Sequence, residues 1–327
     1  MTLILTHSDI AKLIDRRTVF EAVETGHRDL SAGVATNPAP RILELSNGCT
    51  VLPMTAAVVG HGLSSVKMLS DMPFNSGTAL PTQRSTIMVM STQTGACEAI
   101  LDGRLITAIR TAAASAVATA HMSRTSSTTL GLVGAGTLAV EHTRAIARIR
   151  PIEKVAVWSR TSSTMGEFEN RIADLDLEVE QVDSPSAVFT ASDIVCTLTP
   201  SREPIVEGSW FRPGQHINAV GAPPRGDYRE IDGPGMAAGR LVVDSREAAL
   251  AKSGDVLLAI SEGHLSKDDI TVELGDVILD PSRGRRDDHD ITLFNSVGLA
   301  IQDLAICSLI VQRAREKGIG QEINLAA

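Results

Sequence analysis

Gly134, Gly136 and Ala139 set the spacing G-x-G-x-x-A inside the stretch Leu130-Gly131-Leu132-Val133-Gly134-Ala135-Gly136-Thr137-Leu138-Ala139. That pattern of small residues is suited to holding a phosphorylated ligand. The first glycine permits a sharp turn, the second lets a pyrophosphate approach the backbone, and the small third residue lets a helix pack closely on a strand. Leu130 to Val133 form a short apolar run of the kind found in buried parallel strands. A helix predicted from Leu138 to Ile149 points its N-terminal amides at the phosphates. A second strand, Val155 to Trp158, follows on schedule. The strand–turn–helix–strand context is what makes a weak motif a dinucleotide-binding unit.

The end of that second strand bears on which dinucleotide is bound. NAD-selective sites usually place a carboxylate there for the ribose 2′-hydroxyl. This chain has Ser159-Arg160-Thr161-Ser162-Ser163 and no carboxylate. A guanidinium flanked by hydroxyls suits a 2′-phosphate, because Arg pairs with phosphate through two parallel hydrogen bonds. NADP(H) is therefore the favoured cofactor, with NAD(H) the alternative.

The elements that must position these residues fall into a regular order. After the second strand, Ser162 to Ala173 reads as helix, Leu177 to Val182 as strand and Ser184 to Ala191 as helix. Asp193 to Pro200, His216 to Gly221 and Leu241 to Asp244 read as further strands. Strand and helix alternating at this spacing predict a doubly wound parallel sheet, with ligands beyond the carboxyl ends of its strands. That rule singles out the turns at Thr199-Pro200 and Gly221-Ala222 as cofactor-lining, and Thr197, Leu198 and Val220 beside them are assigned to the cofactor with Thr199 and Gly221.

Upstream, Ser8-Asp9 is a plausible cap for the first of two helices that end near Ser31. Asn37-Pro38-Ala39-Pro40 marks a loop. Arg41 to Leu45, Thr50 to Met54, Leu63 to Met68 and Ser85 to Met90 then read as strands of a mostly antiparallel sheet. Thr92 to Gly95 forms a hairpin turn into Glu98 to Leu101. A long helix from Leu105 to Ser123 follows, nearly all small residues after Arg110. Small side chains allow close approach of neighbours, so this helix is predicted to be buried. A buried guanidinium at its start requires an anionic partner. The last part, Ile291 to Lys317, reads as mainly one long helix whose start returns to the first domain. The predicted organisation is a first α+β domain, residues 1–115 plus 300–327, and a dinucleotide-binding domain, residues 116–299.

Composition narrows the function classes. A chain of 327 residues with 43% hydrophobic residues can bury two sizeable cores. The net charge of −9 and a pI near 5.4 argue against nucleic acid as a partner. No run of about twenty apolar residues suggests a membrane span, and the N-terminus does not read as a signal peptide. The four cysteines, at 49, 97, 196 and 307, form no C-x-x-C pair. A metal site is not expected, and a reducing cytoplasm fits.

Several segments together resemble the ornithine cyclodeaminase and mu-crystallin family. They are Lys67 after a β run, Leu80-Pro81-Thr82, Thr94-Gly95, Leu101-Asp102-Gly103-Arg104 and the run Thr107 to Ala116 around Arg110. Gly134-Ala135-Gly136, Asn218 to Gly221, Glu273-Leu274-Gly275 and Phe294-Asn295-Ser296-Val297-Gly298 complete the set. The resemblance spans nearly the whole chain. It implies a Rossmann domain carrying a nicotinamide cofactor, a second α+β domain for substrate and dimerisation, and a homodimer. It implies a small amino or imino acid as substrate, with Arg41, Lys67 and Arg110 on its α-carboxylate. It adds Thr111, Ser296 and Gly298 to the cofactor residues. Charge-assisted hydrogen bonds are what a carboxylate taken out of water needs. Lys67, between apolar residues in a strand, is open to a lowered pKa and is the candidate proton donor, with a bound water as the alternative.

The sequence departs from the cyclodeaminase pattern after Gly221. In those lyases an aspartate closely follows the Val-Gly-Gly turn and works on the substrate amine. Here Ala222-Pro223-Pro224-Arg225-Gly226-Asp227 follows, with proline in the matching place. Asn295 stands where many members carry lysine. The turn resembles the reductase side of the family. The expected reaction is NAD(P)H-dependent reduction of an α-imino acid, cyclic ketimine or iminosuccinate-type, to the L-amino acid. Arg84, Arg225 and Arg229 are the spare cations available to a second carboxylate. The rival readings are a cyclodeaminase-type lyase with catalytic NAD, an oxidative diamino-acid synthase and a non-enzymatic binding protein.

Overall fold

The computed structural model describes residues 1–325. The chain divides into two compact units, Met1–Arg110 with the segment from Leu299 onward, and Thr111–Gly298.

The first unit is built on an eight-stranded sheet. Its order is Gln321–Ile323, Thr2–Leu5, Cys97–Asp102, Gln83–Ser91, Leu63–Asp71, Thr50–Val58 and Ala35–Thr36, with Leu43–Glu44 also pairing Thr50–Val58. The pairings are antiparallel except Thr2–Leu5 beside Cys97–Asp102. Strand Thr50–Val58 alternates buried and half-buried residues along its length, the period of a sheet with one covered face. The same alternation in Leu63–Asp71 turns Ser65, Lys67, Leu69 and Asp71 inward and leaves Met68 exposed. Helices Arg16–Ser31 and Ala300–Lys317 pack on each other, and the latter covers the inward face of the two central strands.

The cap of the first helix, His7–Leu13, lies two residues earlier than predicted. Thr6 accepts from the Asp9 backbone N–H, and Asp9 reaches back to the Thr6 N–H, so Asp9 is the far half of a capping box. The strand expected over Arg41 to Leu45 shrinks to Leu43–Glu44.

The second unit is a seven-stranded parallel sheet. Its order is Glu178–Gln181, Lys154–Trp158, Thr129–Val133, Ile194–Thr197, His216–Ala219, Thr292–Asn295 and Arg240–Val243. The first five follow the doubly wound order, and the last strand in sequence slips in before the sixth. The segment Ile291 to Lys317 is mainly helix as read, but its start is not. Thr292–Asn295 is a strand whose four residues are all buried, and the helix starts only at Ala300. A strand of only four residues, Thr-Leu-Phe-Asn, is too short to show a period of its own, so pattern alone could not separate it from the helix. The chain returns to the first unit at Leu299 rather than at Thr292.

Helix Arg104–Met122 carries the chain from one unit to the next. Its small-residue stretch, Ala112 to Ala118, is buried as predicted. Within the second unit Ser115 Oγ lies 2.9 Å from His142 Nε2, and Asn218 Nδ2 donates to Thr119 Oγ1 at 3.1 Å.

Candidate active site

In the first unit, Lys67 and Asp303 are both fully buried. Lys67 Nζ donates to Asp303 Oδ1 at 3.1 Å and Oδ2 at 3.2 Å. Arg110 Nε lies 3.3 Å from Asp303 Oδ1, and Arg110 Nη1 donates to Gln302 Oε1 at 3.0 Å. The Gln302 amide nitrogen is 3.0 Å from His27 Nε2. With its oxygen on Arg110, Gln302 donates to His27, which must be neutral at Nε2. Burial first, then the field of Arg110, pushes His27 down to about 4, in keeping with that state.

Two cations meet one carboxylate, so the cluster carries one positive charge in excess. It lies out of water, where a second anion is the natural complement. The anionic partner demanded by Arg110 is therefore Asp303, and Lys67 faces a carboxylate rather than a purely apolar shell. Arg41 stands apart: it is exposed, lies outside the strand and joins no ion pair with Lys67, Arg110 or Asp303.

In the second unit, Gly134, Ala135, Gly136, Ser159, Arg160, Leu198 and Thr199 line a cavity of ≈ 270 Å³, joined by Trp158, Thr164, Pro200, Ser201 and Ile205. Gly134 has φ +110°, and a Cβ there would sit 3.0 Å from Leu198 O, so the turn needs glycine. A Cβ on Gly136 would meet nothing within 4 Å, so open space lies over that backbone. Gly136 caps helix Thr137–Ile146 without any side-chain hydrogen bond to its first amides. These features fit a pyrophosphate on the helix N-terminus. Thr137 opens this helix, and Leu138 O lies 2.7 Å from His142 Nδ1. Arg160 is exposed at the end of its strand, and Thr161 caps the next helix with Oγ1 2.6 Å from Thr164 Oγ1.

Thr197, Val220 and Gly221 are not among the residues that line this cavity; Thr197 and Gly221 bond a buried carboxylate that pattern reading missed, and the Val220 N–H donates to Thr197 O at 3.3 Å. Glu230 Oε2 accepts from Thr197 Oγ1 at 2.7 Å and the Gly221 N–H at 2.8 Å. Its Oε1 accepts from the Thr199 N–H at 2.6 Å and Thr199 Oγ1 at 2.8 Å. The Glu230 N–H in turn donates to Asp255 Oδ1 at 2.8 Å, and Asn295 Nδ2 reaches Asp255 Oδ2 at 3.4 Å. Burial first, then the nearby Asp255, raises Glu230 to about 7; burial raises Asp255 to about 6. Asn295 thus takes its place between Asp255 and Ser253, whose Oγ donates to Asn295 Oδ1 at 2.8 Å.

Ser296 and Gly298 are organised by another buried acid. Asp244 Oδ2 accepts from Ser296 Oγ at 2.7 Å, the Val297 N–H at 2.9 Å and the Gly298 N–H at 2.8 Å. Thr111 is buried in the long helix just past the boundary of the first unit. Of the spare cations, Arg84 is exposed, Arg229 is paired with Glu262 at 2.7 Å, and Arg225 lies over the Tyr228 ring at 5.7 Å. Among the described residues no helix is long and apolar enough to cross a membrane.

The ornithine cyclodeaminase/mu-crystallin family model matches residues 1–318. The Delta(1)-pyrroline-2-carboxylate reductase of Thermococcus litoralis, solved with NADH and L-proline, is 35% identical with a TM-score of 0.95, covering 98% of this chain and 100% of that one. An archaeal alanine dehydrogenase dimer with bound NAD is 30% identical with a TM-score of 0.93, covering 99% of each chain. The ketimine reductase mu-crystallin of Mus musculus is 37% identical over 259 residues, 79% of this chain and 78% of its own.

Proposed function

From the premise that the chain belongs to the ornithine cyclodeaminase/mu-crystallin family, we propose that it is an NAD(P)H-dependent reductase that converts an α-imino acid to the L-amino acid. The observation that carries this reading is the buried Lys67–Asp303–Arg110 cluster with its surplus positive charge. It stands in a chain that also has the Gly134–Gly136 phosphate turn. The reductases and the dehydrogenase among its relatives support it.

The bound dinucleotide supplies the hydride. Gly134, Gly136 and the first amides of helix Thr137–Ile146 hold its pyrophosphate. Arg160, with Ser159 and Thr164 beside it, holds a 2′-phosphate, and the absence of any carboxylate at this strand end supports NADP(H) over NAD(H). Arg110 and Lys67 bind the substrate carboxylate, and their charge draws electrons from the C=N bond. Asp303 keeps both cations in place. Lys67 Nζ, already a donor to Asp303, gives a proton to the imine nitrogen as the carbon is reduced, and is reprotonated from solvent. Arg41, exposed ahead of its strand, is the third cation assigned to the carboxylate.

A cyclic ketimine with a single carboxylate is the favoured substrate, since Arg229 is held by Glu262 and Arg225 packs on Tyr228. Proline at 223 leaves the turn without the acid a cyclodeaminase would use. The working form is a homodimer, supported by the dimeric archaeal relative. Four free cysteines suit a cytoplasmic home.

The test follows cofactor absorbance at 340 nm with NADPH or NADH against cyclic imines, iminosuccinate, and keto acids with ammonia. NADPH oxidation with Δ1-pyrroline- or Δ1-piperideine-2-carboxylate is expected. Ammonia release from ornithine with no net cofactor change would replace the reductase by a lyase.

A further inference from the structure

The doubly wound sheet has two mononucleotide halves. The first, containing the Gly134–Gly136 turn and Arg160, takes the adenosine end. The second therefore takes the nicotinamide end, at the turns that close strands Ile194–Thr197 and His216–Ala219. Those two turns abut: a Cβ on Gly221 would lie 2.2 Å from Thr199 N. One side chain ties them together. Glu230, itself fully buried, accepts from Thr197 and Thr199 in one turn and from Gly221 in the other. All four donors are neutral. Among the described residues no cation touches its oxygens, so its charge is not cancelled at close range.

We infer that Glu230 is a positioning residue for the nicotinamide half of the cofactor site, and that its ionised carboxylate biases that half toward the oxidised, positively charged ring. The inference rests on the reductase reading and deepens it. A negative charge fixed near this end stabilises positive charge as it develops on the ring, with no reorganisation needed at the moment of reaction.

The groups facing Glu230 leave that charge adjustable. Asp255, on helix Gly254–Ser261, adds a like charge and receives the Glu230 N–H. Arg229, the preceding residue in the chain, acts on Asp255 and is itself paired with Glu262. Cys196, on the adjoining strand, is pushed up to about 12, first by burial and further by Glu230, so its thiol stays neutral. Titration of Glu230 near neutrality is the consequence of this surrounding.

The experiment uses the full-length protein and measures dissociation constants of NADP⁺ and NADPH by fluorescence titration from about pH 5.5 to 8.5. In the wild type the ratio Kd(NADP⁺)/Kd(NADPH) is expected to fall about three- to tenfold as pH rises, the scale of one charge acting across a few ångströms of protein. The 2′-phosphate titrates in both forms and cancels in the ratio. Glu230→Gln is expected to hold the ratio at its low-pH value throughout. A purely structural role would weaken both forms together and leave the ratio unmoved. A flat wild-type ratio overturns the inference whether or not the variant folds, and so does a variant that keeps the pH-dependent ratio. A wild type that binds no dinucleotide overturns the reductase reading itself.

Discussion

The two units each bury a charged cluster, and the clusters are opposite in sign. In the first, Lys67 and Arg110 share one carboxylate, Asp303. In the second, Glu230 and Asp255 stand together among neutral donors. Under the proposed function, the excess of cations in the first cluster is the complement of a substrate carboxylate. A carboxylate ringed by backbone amides and hydroxyls has its hydrogen bonds met by the protein while it keeps its charge, so it can hold loops and act on a ligand beside them. The sign of the surplus separates a place where something binds from a place that holds the binding loops.

Breaking the first cluster on its reactive side gives the largest effect. Lys67→Ala is expected to lower kcat/KM by about a thousandfold, from loss of a charge-assisted contact and a proton donor. The dissociation constant for NADPH, set in the second unit, stays as it was. Unchanged turnover in that variant would remove Lys67 from the mechanism. Asp303→Asn attacks the same cluster from its centre and strands two buried cations. It is expected to cost about 3–5 kcal/mol in urea unfolding. Asp255→Asn in the other cluster removes a charge that repels Glu230 while leaving an acceptor in place, and is expected to cost only about 1 kcal/mol. Equal losses from the two would erase the contrast.

A smaller effect is expected at the rim of the cofactor cavity. Arg160→Ser should raise Kd for NADPH about tenfold and leave NADH nearly unchanged, the outcome expected of the proposed pairing of its guanidinium with the 2′-phosphate. A parallel change in both would assign Arg160 to the solvent.

The smallest effect is a pH dependence of stability with two opposed slopes. His27 in the first unit and His142 in the second are pushed down to about 4 by burial, and His216 to about 3. Their folded values lie below the ordinary histidine value, so their contribution is full above about 6.5 and is lost as pH falls toward 4 and 3. Glu230 and Asp255 run the other way. Their raised values, about 7 and about 6, give a contribution present at low pH and lost as pH rises through those values. Thermal unfolding is expected to show Tm falling on the acid side, and Glu230→Gln, by removing the opposed contribution between about pH 4.5 and 7, is expected to steepen the rise of Tm with pH over that window. A rise unchanged in that variant would assign the opposed contribution to other groups.

The cofactor turn was legible because its chemistry is local. Gly134, Gly136 and Ala139 act through backbone shape and small volume, and the strand and helix beside them are adjacent in sequence. Arg110 announced a need, since a guanidinium inside a run of small residues must find an anion, but nothing local named Asp303, 193 residues away. A carboxylate within the apolar run Leu299 to Ile306 was the signal available. Glu230 gave less: it lies in Arg229-Glu230-Ile231-Asp232, where surface charge is the ordinary reading. Its burial depends on two strands closing over it. Strand Thr292–Asn295 was lost to the helix after it because four buried residues show no alternation.

The first unit is discontinuous in the chain, and its sheet begins at Thr2 and ends with Gln321–Ile323. Lys67 reaches a partner 236 residues later. During synthesis the first 110 residues therefore emerge without the helix Ala300–Lys317 that covers their inward face, and wait while all of Thr111–Gly298 is made. The edge of Thr2–Leu5 stays open and Lys67 lacks Asp303 through that interval. The second unit, continuous in sequence, has every strand it needs before the ribosome reaches residue 299. Nascent chains of this protein should thus pass through a stage with one finished body and one unfinished sheet, the stage most exposed to aggregation and to chaperone capture.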